Sequence, residues 1–178
     1  MGKMTLIVGG ARSGKSNHAL QLAGKYKDKV AFVATCRPLD KEMKERIKLH
    51  KMSRPSSWKT FEEAENIDTL LEKIGNTFEY IIIDCLTLLV SNLMFKKYTP
   101  QKIEDKIKRL ITGLKKNKAR AILVSNEVGL GIVPGNKLAR DFRDIAGKIN
   151  QVVAQEAEEV IFMVSGVPVQ IKNKEKLK

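Results

Sequence analysis

The stretch GGARSGKS, residues 9–16, constrains this chain more than any other. It is a full match to G-x-x-x-x-G-K-[ST], it follows the apolar run MTLIV (4–8), and it opens a helical stretch over 15–26. Gly9 and Gly14 permit a tight backbone path, so that successive N–H groups aim at one anion, aided by the positive end of the following helix. In that setting Lys15 reaches the β- and γ-phosphates of a nucleotide, and the Ser16 hydroxyl is placed to hold Mg²⁺. The alternative, a chance glycine-rich turn, does not explain why strand, loop and helix come in this order.

The rest of the chain repeats the alternation. Nearly continuous apolar runs at VAFVA (30–34), YIIID (80–84), AILVS (121–125) and VIFMVS (160–165) read as strands buried on both faces of a parallel sheet. Between them, 40–52, 62–75, 100–117 and 136–157 read as helices, the last with Leu138, Phe142, Ile145, Ile149 and Val152 at helical spacing. The expected class is α/β, a mostly parallel sheet flanked by helices, with ligands beyond the carboxyl ends of its strands. One catalytic domain is expected over 1–172. A charged tail is expected over 173–178, with fraying from about residue 171. GLGIVPGN (129–136) reads as a loop. Asp84, closing YIIID, suits the Walker B carboxylate that acts on Mg²⁺.

Composition narrows the partners. Thirty-three basic against 20 acidic residues give a net charge of +13, which favours anionic ligands or else is a lysine-rich solvated surface. Aromatics are 6% of the chain and form no evident stacking platform, so nucleic acid is not the expected partner. No run is long and apolar enough to span a bilayer, and no secretory leader is evident, so a cytoplasmic protein without membrane insertion is expected. Cys36 and Cys85 make no metal-binding or CxxC pattern and read as reduced thiols.

RIKLHKMSRPSSW (46–58) places His50 among Lys48, Lys51 and Arg54, in a chain with two histidines. Met43, Ile47 and His50 share one stripe of a helix, which gives a structural reading. The chemical reading starts from the neighbouring cations. They disfavour the imidazolium form, and neutral imidazole is a nucleophile toward phosphorus. His18, three residues after Lys15, is the competing histidine and reads as a surface or packing residue.

The ordered motifs GGARSGKS, DKEMKERIKLHKMSRPSSWKT, IIIDCLTLLVSNL, SNEVGLGIVPGNKLARDFRDIAGKINQ and VSGVPVQIK cover roughly residues 4–172. In that order they resemble the bifunctional adenosylcobinamide kinase / adenosylcobinamide-phosphate guanylyltransferase family of cobalamin biosynthesis. The resemblance implies a RecA-like P-loop NTPase fold assembled as a homotrimer. It implies phosphorylation of adenosylcobinamide by ATP or GTP, then transfer of GMP from GTP to adenosylcobinamide phosphate through a GMP–histidine intermediate at His50. It maps nucleotide contacts onto Gly9, Gly10, Ala11, Arg12, Ser13, Gly14, Lys15 and Ser16, onto Ala34, Thr35 and Cys36, and onto Lys51, Met52, Ser53, Arg54, Glu62 and Asp84. Lys15 would join His50 in catalysis, and Ser16 and Asp84 would hold Mg²⁺. One departure is visible: Gly135 stands before Asn136 where the family commonly has an acidic residue. Glu127 reads equally as a residue orienting water, metal or substrate and as a carboxylate bonded to loop amides. Two other functions compete: a P-loop kinase for another small hydroxyl substrate, with a structural His50, and a nucleotide-dependent RNA-binding module motivated by the charge.

Overall fold

The computed structural model describes residues 2–24, 26, 29–37, 41–52, 54–74 and 76–174, with the side chains at 42, 43, 46, 49 and 50 left outside. The chain runs β1 (Met4–Gly9), α1 (Lys15–Ala23), β2 (Val30–Ala34), α2 (Lys41–Met52), β3 (Lys59–Glu62), α3 (Ile67–Ile74), β4 (Tyr80–Asp84), α4 (Leu86–Phe95), α5 (Pro100–Lys116), β5 (Arg120–Asn126), α6 (Lys137–Glu156), β6 (Glu159–Val164) and β7 (Val167–Asn173). The strands form one seven-stranded sheet in the order β3-β2-β4-β5-β1-β6-β7. All pairings are parallel except β6 with β7, which are antiparallel.

Both faces of the central strands are covered, which is why they read as unbroken apolar runs. One face carries Leu6, Val33, Ile81, Ile83 and Leu123 against helices α3 to α6. The other carries Ile7, Phe32, Ile82, Ile122 and Val124 against Ala19 and Ala23 of α1 and against Trp58. Two side-chain amides lock helices to strand tips. Asn92 of α4 donates to Thr35 O at 2.8 Å and to Ala64 O at 3.1 Å. Asn150 of α6 accepts from Ser125 Oγ at 2.6 Å and donates to Asn126 O at 3.1 Å. These bonds satisfy backbone groups where β2 and β5 end, so the strand tips are held from behind.

The structure corrects several expectations. The stretch expected as helix from 62 begins as β3, which pairs with β2, and α3 starts only at Ile67. The Glu63 carboxylate accepts from the amides of Glu65 and Asn66 at 2.8 and 2.9 Å, just ahead of that helix. Residues 171–173, expected to fray, belong to β7. Residues 175–178 lie outside the described part. Leu138, on the expected apolar stripe of α6, is 59% exposed, whereas Ile149 and Val152 are buried. Phe142 and Ile145 are partly buried against the core, and the stripe becomes fully buried from Ile149.

Candidate active site

The loop between β1 and α1 is shaped by backbone sterics. A Cβ on Gly9 would lie 2.6 Å from Met163 O and 2.7 Å from Ser13 Oγ, closer than real contacts allow. Gly14 has φ 92°, in the left-handed region, and caps α1 without a side-chain hydrogen bond; glycine adopts that conformation without Cβ strain. The loop is stitched to its neighbours by Glu127 N–H to Gly9 O at 2.9 Å and Gly166 N–H to Ser13 O at 3.1 Å. Lys15 is buried and donates from Nζ to Gly10 O at 2.5 Å and to Ser13 Oγ at 3.4 Å. Burial holds the Lys15 ammonium below its ordinary pKa, against the opposing pull of Cys85 and Asp84.

The ends of β1, β2, β4 and β5 lie together because Gly9 pairs with Asn126, and Ala34 with Asp84. Asp84 reaches the cavity in front of these ends. The Asp84–Cys85 peptide is cis. Thr35, fully buried, donates its hydroxyl to Cys85 O and accepts from Cys85 N–H, both at 2.8 Å. Thr35 therefore braces the β4 tip rather than lining the cavity. Cys85 is buried, its thiol pushed up to about 11 by desolvation and then by Asp84.

The cavity holds about 720 Å³. The loop contributes Ala11, Arg12, Ser13, Gly14, Lys15 and Ser16; the strand tips contribute Ala34, Cys36, Glu62, Asp84 and Asn126; α2 and the turn after it contribute Lys44, Ile47, Lys51 and Arg54. The Arg54 guanidinium lies over the Phe32 ring at 3.6 Å, and its Nη1 is buried without a hydrogen-bond partner. Burial lowers the Arg54 pKa, opposed by Asp84 and Glu62. Lys51 forms an ion pair with Glu62 across the mouth.

The residues expected from the sequence thus fall into three groups. Most line this cavity. Gly9 and Thr35 are buried behind the lining, Gly10 is exposed outside it, and Met52 lies on the outer side of α2. Ser53 and the His50 side chain are outside the described part; the His50 backbone lies on α2 between the cavity-lining Ile47 and Lys51. His18 sits half-buried on α1, away from the lining. Glu127 accepts from Gly129 N–H at 2.9 Å, the loop contact of its structural reading. Lys44, Asn17, Leu88 and Asn126 line the cavity but carry no sequence pattern that singles them out; only the spacing of Lys44, Ile47 and Lys51 along α2 was there to find.

The donor set suits Mg²⁺ bound with a nucleotide. Ser16 and Asp84 offer a hydroxyl and a carboxylate to one space, and Mg²⁺ commonly keeps waters and phosphate oxygens as its other ligands. Among the described residues there is no group of three or more His, Cys, Asp or Glu that could enclose a metal alone.

Comparisons with known proteins show the family and the fold. The sequence profile of the cobinamide kinase / cobinamide phosphate guanyltransferase family matches residues 5–171. The bifunctional adenosylcobalamin biosynthesis protein CobU of Salmonella typhimurium is 44% identical, and that of Escherichia coli 42%, each over 95% of this chain and 99% of the relative. The bifunctional adenosylcobalamin biosynthesis protein CobP of Pseudomonas aeruginosa is 40% identical over 94% of this chain and 96% of its own. A KaiC-like protein of Pyrococcus horikoshii OT3, 17% identical, superposes with a TM-score of 0.50 over 90% of this chain and 70% of that one. That likeness supports the RecA-type P-loop fold.

Proposed function

The chain belongs to the cobinamide kinase / cobinamide phosphate guanyltransferase family, and from that premise we propose that this cavity serves both transfers in turn. In the first, the hydroxyl of adenosylcobinamide attacks the γ-phosphorus of ATP or GTP and releases its proton to solvent; the bond to the β-bridging oxygen breaks and the nucleoside diphosphate leaves. In the second, an imidazole nitrogen of His50 attacks the α-phosphorus of GTP and pyrophosphate leaves. A phosphate oxygen of adenosylcobinamide phosphate then attacks that phosphorus. The P–N bond breaks, its electron pair returns to the imidazole, and adenosylcobinamide-GDP is released.

The observation that supports this reading is the convergence of Lys15, Asp84 and Arg54 on one cavity bounded by α2. The loop amides and Lys15 hold the β- and γ-phosphates, so they neutralise the leaving group of either transfer. The orphaned Nη1 of Arg54 takes a nucleotide oxygen, because a buried donor without a partner is costly to leave unmade. Ser16 and Asp84 would hold Mg²⁺, which supplies further neutralisation of phosphate charge when bound. A homotrimer is proposed from the family resemblance alone.

Incubating the protein with labelled GTP and adenosylcobinamide tests the reading. Both adenosylcobinamide phosphate and adenosylcobinamide-GDP are expected. Turnover of neither would return the chain to the other class of P-loop kinase.

A further inference from the structure

We propose that Lys44, Lys48 and Lys51 form a site on the outer flank of α2 for the phosphate of the acceptor, separate from the loop that holds the nucleotide phosphates. The three lysines stand at i, i+4 and i+7, so they share one face of the helix. They border a second cavity of about 440 Å³ together with Ile47 and Met52. Lys44, Ile47 and Lys51 line the main cavity as well, so the two spaces adjoin along α2, whereas Lys48 faces only the outer one.

Among the described residues, charge on this face is only partly compensated. Lys51 pairs with Glu62, but Lys44 and Lys48 make no ion pair with a described residue. Like charges at i, i+4 disfavour a helix, so its own stability gives no reason for the pattern. Met52 is 74% exposed, which adds an apolar surface beside the ammonium groups. Cations bordering apolar surface suit a phosphate monoester on a large, partly apolar molecule.

Given the guanylyl transfer proposed above, such a ligand is required. The kinase step takes an acceptor with a neutral hydroxyl, and the second step takes the same acceptor as a phosphate anion. That anion must approach a second phosphorus centre that is itself anionic. Cations beside the nucleotide cavity, on the helix that carries His50, neutralise the incoming group without competing with the loop for the triphosphate.

The test is equilibrium binding to the full chain, by calorimetry, of three ligands in turn: adenosylcobinamide phosphate, adenosylcobinamide and GTP. Wild-type protein should prefer the phosphorylated acceptor, and the preference should shrink as salt rises. Lys48→Gln should weaken adenosylcobinamide phosphate about threefold to tenfold, the scale of losing one partly screened charged contact. It should leave adenosylcobinamide and GTP within experimental error, and Lys48→Arg should retain the preference. Circular dichroism checks that both variants are folded. Unchanged affinity of Lys48→Gln for the phosphorylated acceptor would overturn the site, as would a loss confined to GTP, which would give the lysine to the nucleotide. Because binding needs no turnover, this result stands apart from the covalent chemistry; a chain that never forms a GMP adduct would fail the function above and leave the binding comparison intact.

Discussion

The two sides of the cavity are built in opposite ways. The loop side is backbone: Gly9 is wedged against Met163 O, the 9–16 turn is bonded to residues 127 and 166, and Lys15 is folded into it. The α2 side is side chain: Lys44, Lys48 and Lys51 are exposed, and Arg54 beyond them rests on one aromatic ring. On the proposed reading, the groups that would bind phosphate are embedded beside the sheet, while those that would distinguish one transfer from the other lie on the exposed α2 side. Substitutions on the loop side should disturb both reactions, or the fold itself. Substitutions on the α2 side should change chemistry and leave stability nearly alone.

The largest effect expected on the loop side is from Lys15→Ala. Both transfers should fall by about 100- to 1000-fold in kcat/KM, the usual scale for losing a preorganised charge-stabilising donor. Steady-state rates measured for each acceptor check this, and a wild-type rate for either would break the idea of a shared phosphate site. Gly9→Ala should lower stability by about 1–3 kcal/mol through overpacking. Gly10→Ala, where an added Cβ meets nothing within 4 Å, should stay within about 0.5 kcal/mol. Urea midpoints compare the two, and equal midpoints would remove the steric account of the loop.

On the α2 side, Arg54→Lys keeps the charge but loses the flat stack on Phe32 and the fork geometry. The KM for GTP should rise about tenfold, or about 1.4 kcal/mol, the scale of one hydrogen bond to a charged group. If the urea midpoint fell with it as far as for Gly9→Ala, the contrast between the two sides would be lost.

The smallest effect concerns the thiols. Desolvation, then Asp84, holds the Cys85 thiol protonated up to about pH 11, so alkylation at pH 8 should label Cys36 well before Cys85. A group whose folded pKa is raised contributes stability that is intact below its ordinary value and lost as pH rises through the folded one. For Cys85 that loss falls between the ordinary thiol value of 9.0 and about 11. Equal labelling by mass spectrometry would contradict the burial of the strand tip.

The parts legible in the sequence were those with a strong local signal. The loop, the central strands and Asp84 announce themselves because burial on both faces leaves only apolar residues, and because the loop demands glycine at fixed places. The edges were hidden for the converse reason. β3 is KTFE, short and largely exposed, and β7 carries Pro168 with most of its residues exposed. α4 reads LTLLVSNLMF, apolar on nearly every side because it is buried among other helices, so its period is blurred. Thr35 and Asn92 act through hydrogen bonds between distant segments, 57 residues apart in one case, which no local pattern encodes.

Covalent labelling at His50 tests the central claim most directly. The folded protein, given GTP labelled at the α-phosphate and no acceptor, should carry one GMP on His50 by mass mapping, with the acid lability and base stability of a P–N bond. His50→Ala should form no adduct and lose guanylyl transfer by about 10⁴-fold or more, the scale of removing a nucleophile. It should still phosphorylate adenosylcobinamide. A folded His50→Ala protein that still takes up GMP, or an adduct mapped to His18, would contradict the division of labour between the loop and α2.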